Sequence, residues 1–174
     1  CTDTPNWVWR AAAIALFAYQ TLDNMDGKQA RRTNSSSSLG MLIDHGIDAM
    51  NSTLNSTILT CSLGLHEPVH LFWIWSIATV PLYLCTWEEY HTGRLELPIV
   101  NGPSDGVLAI IGAHLLSYFN GCGWWWSEQS LLLGHPNVYV MLYGGLISVI
   151  ATVMLHCRCV WLSPTARPRP WESL

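Results

Sequence analysis

Charged residues are scarce in this sequence, and no stretch of it is strongly basic. Only 11% of the 174 residues are charged, and the formal net charge is −4. Proteins that bind nucleic acid through its phosphates need clustered lysine and arginine, so nucleic acid is not expected as a partner. The shortage of charge also argues against a soluble globular domain, in which about a quarter of the residues are charged.

The six cysteines lack the paired spacing of a disulfide framework or a zinc site. They fall mainly in or beside apolar runs, where cysteine usually acts as a small packing residue. Four histidines likewise show no ligand-like spacing to one another, and we assign them no role: His91, His114, His135 and His156. The pattern of neither residue type predicts a site.

Long apolar runs dominate what the sequence does contain. Half of the residues are hydrophobic and ten are tryptophan. The runs are about 18 to 22 residues long, which is the length an α-helix needs to cross a bilayer. The sequence therefore predicts an all-α, polytopic transmembrane bundle, residues 1–162, followed by an irregular cytosolic tail, residues 163–174. The predicted membrane helices are residues 7–23, 41–65, 69–87, 105–126 and 137–157.

The basic residues give these crossings an orientation. If the loop after the first helix is cytosolic, all but one of the eight lysines and arginines lie on the cytosolic side, the exception being Arg10. Cationic loops are translocated poorly, so this distribution predicts that the loop between the first two helices faces the cytosol.

Four aspartates near this loop need an explanation. Asp23 and Asp26 are three residues apart, and Asp44 and Asp48 are four apart, so each pair shares one helix face. A carboxylate at bilayer depth costs a few kcal/mol unless it faces a protein interior, water or a cation. Oxygen ligands suit a hard ion such as Mg²⁺, with Mn²⁺ as its substitute. We therefore expect the four carboxylates to converge on divalent cations.

A polar stripe on the second predicted helix supports this interpretation. Asp44, Asp48, Asn51 and Asn55 recur at helical spacing on an otherwise apolar segment, which predicts that they face a cavity or a neighbouring helix. The alternative is that the aspartates form ion pairs with nearby basic residues: Lys28, Arg31 and Arg32.

The same residues carry a resemblance to a known family. The pattern Asp23-x2-Asp26-Gly27-x2-Ala30-Arg31-x8-Gly40-x3-Asp44-x3-Asp48 matches the complete signature of the CDP-alcohol phosphatidyltransferase family. The segments DGKQARRTNSSSSLG, DHG, WEEYHTG and LPIVNGPSDG resemble its eukaryotic choline and ethanolamine phosphotransferase branch. The similarity covers residues 19–106, the motif core. Members of the family are usually longer, so we expect a fragment or a shortened form.

The resemblance implies an activity. It implies transfer of phosphocholine or phosphoethanolamine from CDP-choline or CDP-ethanolamine to the hydroxyl of diacylglycerol, releasing CMP, as a step of phospholipid biosynthesis. It also implies an integral membrane protein in the bilayer of the endoplasmic reticulum or a related endomembrane. The site would face the cytosol, and a homodimer is the family's usual assembly.

The resemblance also implies residue roles. The four aspartates would hold two Mg²⁺ or Mn²⁺ ions against the diphosphate. Four further residues would contact the substrate, with the arginine donating paired hydrogen bonds to phosphate: Gly27, Ala30, Arg31 and Gly40. His45 would be the general base. Met41 is a departure, because the branch usually has a glutamate there that can orient the imidazole, whereas methionine cannot accept a strong hydrogen bond.

Two alternatives remain open. One is a catalytically impaired membrane scaffold of the same family, which keeps the metal site and lacks turnover. The other is a zinc metalloprotease, because HEPVH at residues 66–70 fits the HExxH pattern. Pro68 would disrupt the helix that has to present both histidines, so a tight turn at residues 66–68 is the favoured interpretation.

Overall fold

The chain folds into five long α-helices within the part that the structure describes. The computed structural model describes residues 4–92, 102–127 and 134–162, and no strand occurs in them. The helices are α1 (Trp7–Arg32), α2 (Ser38–Ser62), α3 (Pro68–Thr92), α4 (Gly102–Asn120) and α5 (Asn137–Leu162), with a short 3₁₀ helix (Cys122–Trp126) between α4 and α5. The predicted all-α class is confirmed. The predicted tail, residues 163–174, lies outside the described residues.

Two of these helices are long and apolar enough to cross a membrane, namely α3 and α5. Their surfaces are mostly uncovered by the rest of the protein, as lipid contact would require. Among the helices of the described residues, α1, α2 and α4 do not meet the same combined requirement of length and apolar composition. The predicted number of helices, five, therefore agrees with the structure. Two of the five also have the length and composition of a membrane span.

The first helix is longer than predicted. It continues past residue 23 to Arg32, so the basic residues of the motif belong to a helix instead of a loop. It ends in a Schellman motif, in which Asn34 takes a left-handed φ of 53° and the Ser35 N–H donates to the Ala30 carbonyl at 3.0 Å. The prediction stopped too early because it followed hydrophobicity, whereas lysine, arginine and glutamine favour helix as strongly as most apolar residues.

The second helix is capped at both of its ends. Its N-cap is Ser37, whose Oγ accepts a hydrogen bond of 3.0 Å from the Gly40 N–H. At its other end Gly64 has φ +66° and the Leu65 N–H donates to the Thr60 carbonyl at 3.0 Å, which completes a second Schellman motif. The connection between α1 and α2 is thereby reduced to residues 33–37.

The HEPVH segment does not form one helix. His66 precedes α3, which begins at Pro68, a residue well suited to the first helical position. The predicted break between the helices is confirmed, but the connection lies at residues 63–67 instead of 66–68, and Pro68 belongs to the helix. Because the two histidines do not share a helical face, the arrangement that a zinc protease requires is absent from this described segment.

Two predicted boundaries were wrong near the middle of the chain. Helix α3 runs to Thr92 instead of ending at residue 87, and residues 93–101 lie outside the described part. Helix α4 ends at Asn120. Gly121, with φ +78°, separates it from the 3₁₀ helix, which contains three consecutive tryptophans at residues 124–126.

The bundle is held together at one end by a small core. Helix α1 packs chiefly against α4, α2 against α3, and α3 against α5. The Nε1 of Trp125 donates to the Ser117 Oγ at 2.7 Å, and this hydroxyl lies 3.1 Å from the Ser62 carbonyl, to which it donates. Seven buried residues form the core cluster: Leu59, Leu63, Leu65, Ile74, Ala113, Trp125 and Val138. Because α1 and α2 contact each other sparingly, space remains between them at the aspartate end.

Candidate active site

A large cavity lies among the five helices. Its volume is about 720 Å³, and every α-helix contributes to its lining. Apolar side chains such as Ile77, Leu82 and Val149 line it together with acidic and amide side chains of α1 and α2. A cavity of this composition suits a molecule that has both a polar and an apolar part.

The polar stripe of α2 faces this cavity, as the sequence predicts. Asp44, Asp48, Asn51 and Asn55 all contribute to the lining. The Asn55 Nδ2 donates to the Asn51 Oδ1 at 2.7 Å and to the Asn51 carbonyl at 2.9 Å. The two amides are therefore hydrogen bonded to each other along the stripe, next to the aspartates.

Three of the four motif aspartates line the cavity. Asp23 from α1 and Asp44 and Asp48 from α2 contribute to it, each half-buried, whereas Asp26 is exposed and does not. Asp23 lies within electrostatic range of the other three. The structure thus gathers negative charge from both helices at one place.

Tyr19 joins the two helices at this point, and the sequence analysis missed it. Its hydroxyl donates a hydrogen bond of 2.5 Å to the Oδ1 of Asp48. The available signal was its position four residues before Asp23, which puts both side chains on the same face of α1. Tyr19 orients one of the candidate metal ligands.

The aspartates fit a divalent cation by the chemistry of their donors, because carboxylate oxygens are hard ligands. In residues 4–92, 102–127 and 134–162 no group of three or more His, Cys, Asp or Glu residues has the spacing of a metal site. The four like charges oppose each other's closer approach, and a cation would offset that repulsion. Asp23, Asp44 and Asp48 therefore share the cavity lining and, with Asp26, repel one another, but the oxygens of the four carboxylates are not gathered around one point.

Ion pairing does not explain the aspartates. None of the four forms a salt bridge with Lys28, Arg31 or Arg32, although all of these residues are described. Burying unpaired acidic groups in a partly apolar cavity is costly. We therefore favour the interpretation in which the aspartates are available to a cation over the one in which they form ion pairs with nearby basic residues.

His45 lies at the same cavity. It is half-buried, contributes to the lining, and directly follows Asp44. Met41, one helical turn earlier, is 48% exposed and provides no strong acceptor for the imidazole. His45 therefore borders the cavity without the glutamate that the resemblance would place beside it.

The four predicted substrate-binding residues do not line the cavity: Gly27, Ala30, Arg31 and Gly40. Gly27 has room for a side chain, since an added Cβ would lie 3.7 Å from the Nη1 of Arg31. An added Cβ at Gly40 would lie 3.2 Å from the Ser37 Oγ, the atom that caps α2. The small residue at position 40 therefore also serves the helix cap.

These features define a helical, membrane-associated class of protein with an acidic and partly apolar cavity among its helices. The model of the CDP-alcohol phosphatidyltransferase family matches residues 3–127, so the chain belongs to that family. The resemblance inferred from the aspartate motif is confirmed.

Several curated proteins are similar to this chain. Choline/ethanolaminephosphotransferase 2 of Arabidopsis thaliana is 46% identical over 121 residues, which is 70% of this chain and 31% of that protein. Choline/ethanolaminephosphotransferase 1 of Saccharomyces cerevisiae is 42% identical over 120 residues, 69% of this chain and 31% of that protein. Cholinephosphotransferase 1 of Danio rerio is 38% identical over 125 residues, 71% of this chain and 32% of that protein. The matched part of the chain thus spans a little under one third of the length of these relatives.

Proposed function

We propose that this chain belongs to an enzyme that transfers phosphocholine or phosphoethanolamine from a CDP-alcohol to the hydroxyl of diacylglycerol and releases CMP. The observation that carries the proposal is that Asp23, Asp44, His45 and Asp48 line the same cavity as a set of apolar side chains. The reaction brings a charged nucleotide substrate together with a lipid substrate, so its site has to offer both polar and apolar surfaces.

The aspartates would bind the metal in this reaction. Asp23, Asp44 and Asp48 would hold Mg²⁺ or Mn²⁺ from the cavity wall, with Asp26 joining them from the next turn of α1. When bound, such ions neutralise phosphate charge and favour departure of the nucleotide. Tyr19 keeps the Asp48 carboxylate turned toward α1 through its hydrogen bond of 2.5 Å. Gly27, Ala30, Arg31 and Gly40, outside the cavity lining, would contact the nucleotide, with Arg31 bonding its phosphates.

His45 would act as the general base. As the diacylglycerol oxygen attacks phosphorus, the bond from phosphorus to the CMP oxygen breaks and the hydroxyl proton passes to the imidazole. A histidine suits this task because the ordinary pKa of an imidazole side chain lies near neutrality. The apolar wall of the cavity would hold the acyl chains and keep water away from the phosphate.

We also propose that all five helices lie in a bilayer. Large apolar residues of α1 point outward, where Ile14 is 61% and Phe17 59% exposed, while the aspartate on the same helix faces the cavity. Helix α2 shows the same arrangement, with Leu54 61% exposed and Asn55 buried. Polar groups inside and apolar groups outside is the distribution that lipid favours. The proposed location is the endoplasmic reticulum or a related endomembrane, with the site open to the cytosol and a homodimer as the assembly.

A catalytically impaired scaffold is the second candidate. One observation favours it: Met41, which cannot accept a strong hydrogen bond, stands one turn before His45 where the resemblance would place a glutamate. Such a protein would bind CDP-alcohol and metal without turnover. A zinc protease is not proposed, because His66 lies outside the helix that contains His70.

The test is CMP release by the chain reconstituted in liposomes that contain diacylglycerol, with Mg²⁺ and either CDP-choline or CDP-ethanolamine. Asp44→Asn and His45→Ala should each reduce release by about 100-fold or more. Glu67→Gln, which removes a carboxylate from an exposed turn, is the matched control and should leave the rate unchanged. Binding of CDP-choline without CMP release in the unaltered chain would favour the scaffold instead.

A further inference from the structure

A buried cluster of three side chains, a thiol, an imidazole and a carboxyl group, joins α3 to α5. The Nδ1 of His156 makes a short hydrogen bond to the Oε2 of Glu88, and the Nε2 of the same ring lies 3.5 Å from the Cys85 Sγ. The three residues are only 7% exposed (Cys85), 1% (Glu88) and 2% (His156). Neither the sequence analysis nor the proposed transferase assigns any of them a role.

The order of the three groups determines where the protons lie. A carboxylate can only accept, so the His156 Nδ1 carries the hydrogen that bonds Glu88. This leaves the Nε2 lone pair directed at the thiol, which donates its own hydrogen. A nucleophile, a base and a carboxylate that orients the base form the arrangement that activates hydroxyl and thiol groups in enzymes.

The thiol is the member of the cluster that a small molecule can reach. Cys85 contributes to the lining of the large cavity, whereas His156 and Glu88 do not. The same cavity carries the carboxylates of Asp23, Asp44 and Glu89 together with many apolar side chains. An anionic reagent would meet repulsion there, and a neutral apolar one would not.

We propose that Cys85 is a nucleophilic thiol, activated by His156 and Glu88, and that it is a site of covalent modification by neutral, apolar α,β-unsaturated carbonyl compounds that enter the cavity. This site goes beyond the proposed transferase and does not depend on it. It also revises the expectation that the cysteines are packing residues and that His156 has no role.

The addition balances without any further reagent. The sulfur electron pair forms a bond to the β-carbon of the alkene while the S–H proton passes to the His156 Nε2. The alkene π pair moves onto the carbonyl as an enolate, which then takes the proton from the imidazolium at its α-carbon. A charged sulfur would face Glu88 and Glu89, so proton transfer accompanies attack instead of preceding it.

The experiment labels the full chain in liposomes with N-dodecylmaleimide, or with a maleimide of the same length that carries a sulfonate, and measures each cysteine by mass spectrometry. Cys157 on α5, a half-buried free cysteine, is the internal reference. The ratio of the Cys85 rate to the Cys157 rate should be at least about tenfold higher for the neutral reagent, because Cys85 lines the acidic cavity and Cys157 does not. Equal ratios, or an unlabelled Cys85 beside a labelled Cys157, would overturn the proposal.

Two variants separate activation from simple burial. His156→Gln and Glu88→Gln should each slow Cys85 labelling by about tenfold or more, since each removes part of the general-base system. Labelling of Cys157 and monodisperse elution in detergent show whether the variant retains its fold. His156→Ala leaves a space that 4-methylimidazole can fill, and this compound should restore Cys85 labelling in that variant without changing the wild-type rate. If His156 has only a structural role, 4-methylimidazole should not restore Cys85 labelling. The absence of rescue would therefore contradict activation of the thiol by His156.

Discussion

The hydroxyl of Tyr19 on α1 donates a hydrogen bond of 2.5 Å to the Oδ1 of Asp48 on α2, across the cavity that the motif aspartates line. These two helices otherwise contact each other sparingly. The bond therefore does two things: it fixes the spacing of the helices at the aspartate end, and it selects the orientation of one carboxylate. Replacing a residue that orients a metal ligand typically lowers metal affinity or activity by about 10- to 100-fold.

Replacing Tyr19 with phenylalanine should weaken metal binding and leave the ring's packing in place. We expect the Mg²⁺ concentration for half-maximal CMP release to rise about tenfold, because Asp48 loses the group that orients it. Tyr83→Phe, which removes a hydroxyl from a residue of α3 that is 66% exposed, is the matched control. A Mg²⁺ titration that superimposes on wild type would show that the bond has no part in metal binding.

The position of Met41 predicts a gain of activity. It lies one turn before His45 on α2, so a carboxylate introduced there can accept a hydrogen bond from the imidazole and stabilise its protonated form. Met41→Glu should raise the CMP release rate by about tenfold. Met41→Gln, of nearly the same size and without charge, should give a smaller increase. If neither variant exceeds wild type, His45 has another support or is not the base.

The sequence predicted the helical class and the polar wall of the cavity because both depend on local periodicity. The stripe from Asp44 to Asn55 follows helical spacing, and all four of its residues line the cavity. Helix ends were predicted less well, because the first apolar run ends near residue 23 whereas the helix continues to Arg32. There the backbone is governed by helix propensity and by the left-handed Asn34, neither of which an apolar run reveals.

Contacts between distant segments could not be predicted in the same way. The pairing of Tyr19 with Asp48 and that of Glu88 with His156 each join residues on different helices. Which faces of these helices meet is decided by packing of the whole bundle, and no spacing within one helix encodes it. The family motif therefore identified the aspartates, whereas the partner of Asp48 and the pairing of Glu88 with His156 could be identified only from the fold.

The hydrogen bonds of two neighbouring tryptophans should differ in their contribution to stability. Trp125 is 4% exposed and donates to the Ser117 Oγ, while Trp126 is 43% exposed and donates to the Leu63 carbonyl at 2.9 Å. Trp125→Phe should lower the free energy of unfolding by about 2 kcal/mol, because a buried hydroxyl loses a partner and the smaller ring leaves space. Trp126→Phe should cost less than about 1 kcal/mol, because an indole that is already 43% exposed leaves a smaller space in the protein when it is replaced. Unfolding in mixed detergent micelles measures both, and equal losses would contradict the assignment of Trp125 to the core.

Gly64 provides a test of the turn that ends α2. Its φ of +66° is strained for any residue with a Cβ, and an added Cβ would lie 3.0 Å from the Trp126 Nε1, whose hydrogen bond to Leu63 covers this turn. Gly64→Ala should therefore lower the free energy of unfolding by about 1–3 kcal/mol through backbone strain and displacement of the indole. Gly112→Ala in α4 is the matched control. No neighbouring atom lies within 4 Å of its added Cβ, so it should stabilise the protein by about 0.5–1 kcal/mol. The two substitutions add the same methyl group, so opposite signs in the same unfolding assay would show that the turn at Gly64 does not accept a Cβ. A neutral Gly64→Ala would show instead that α2 does not need a glycine in order to end there.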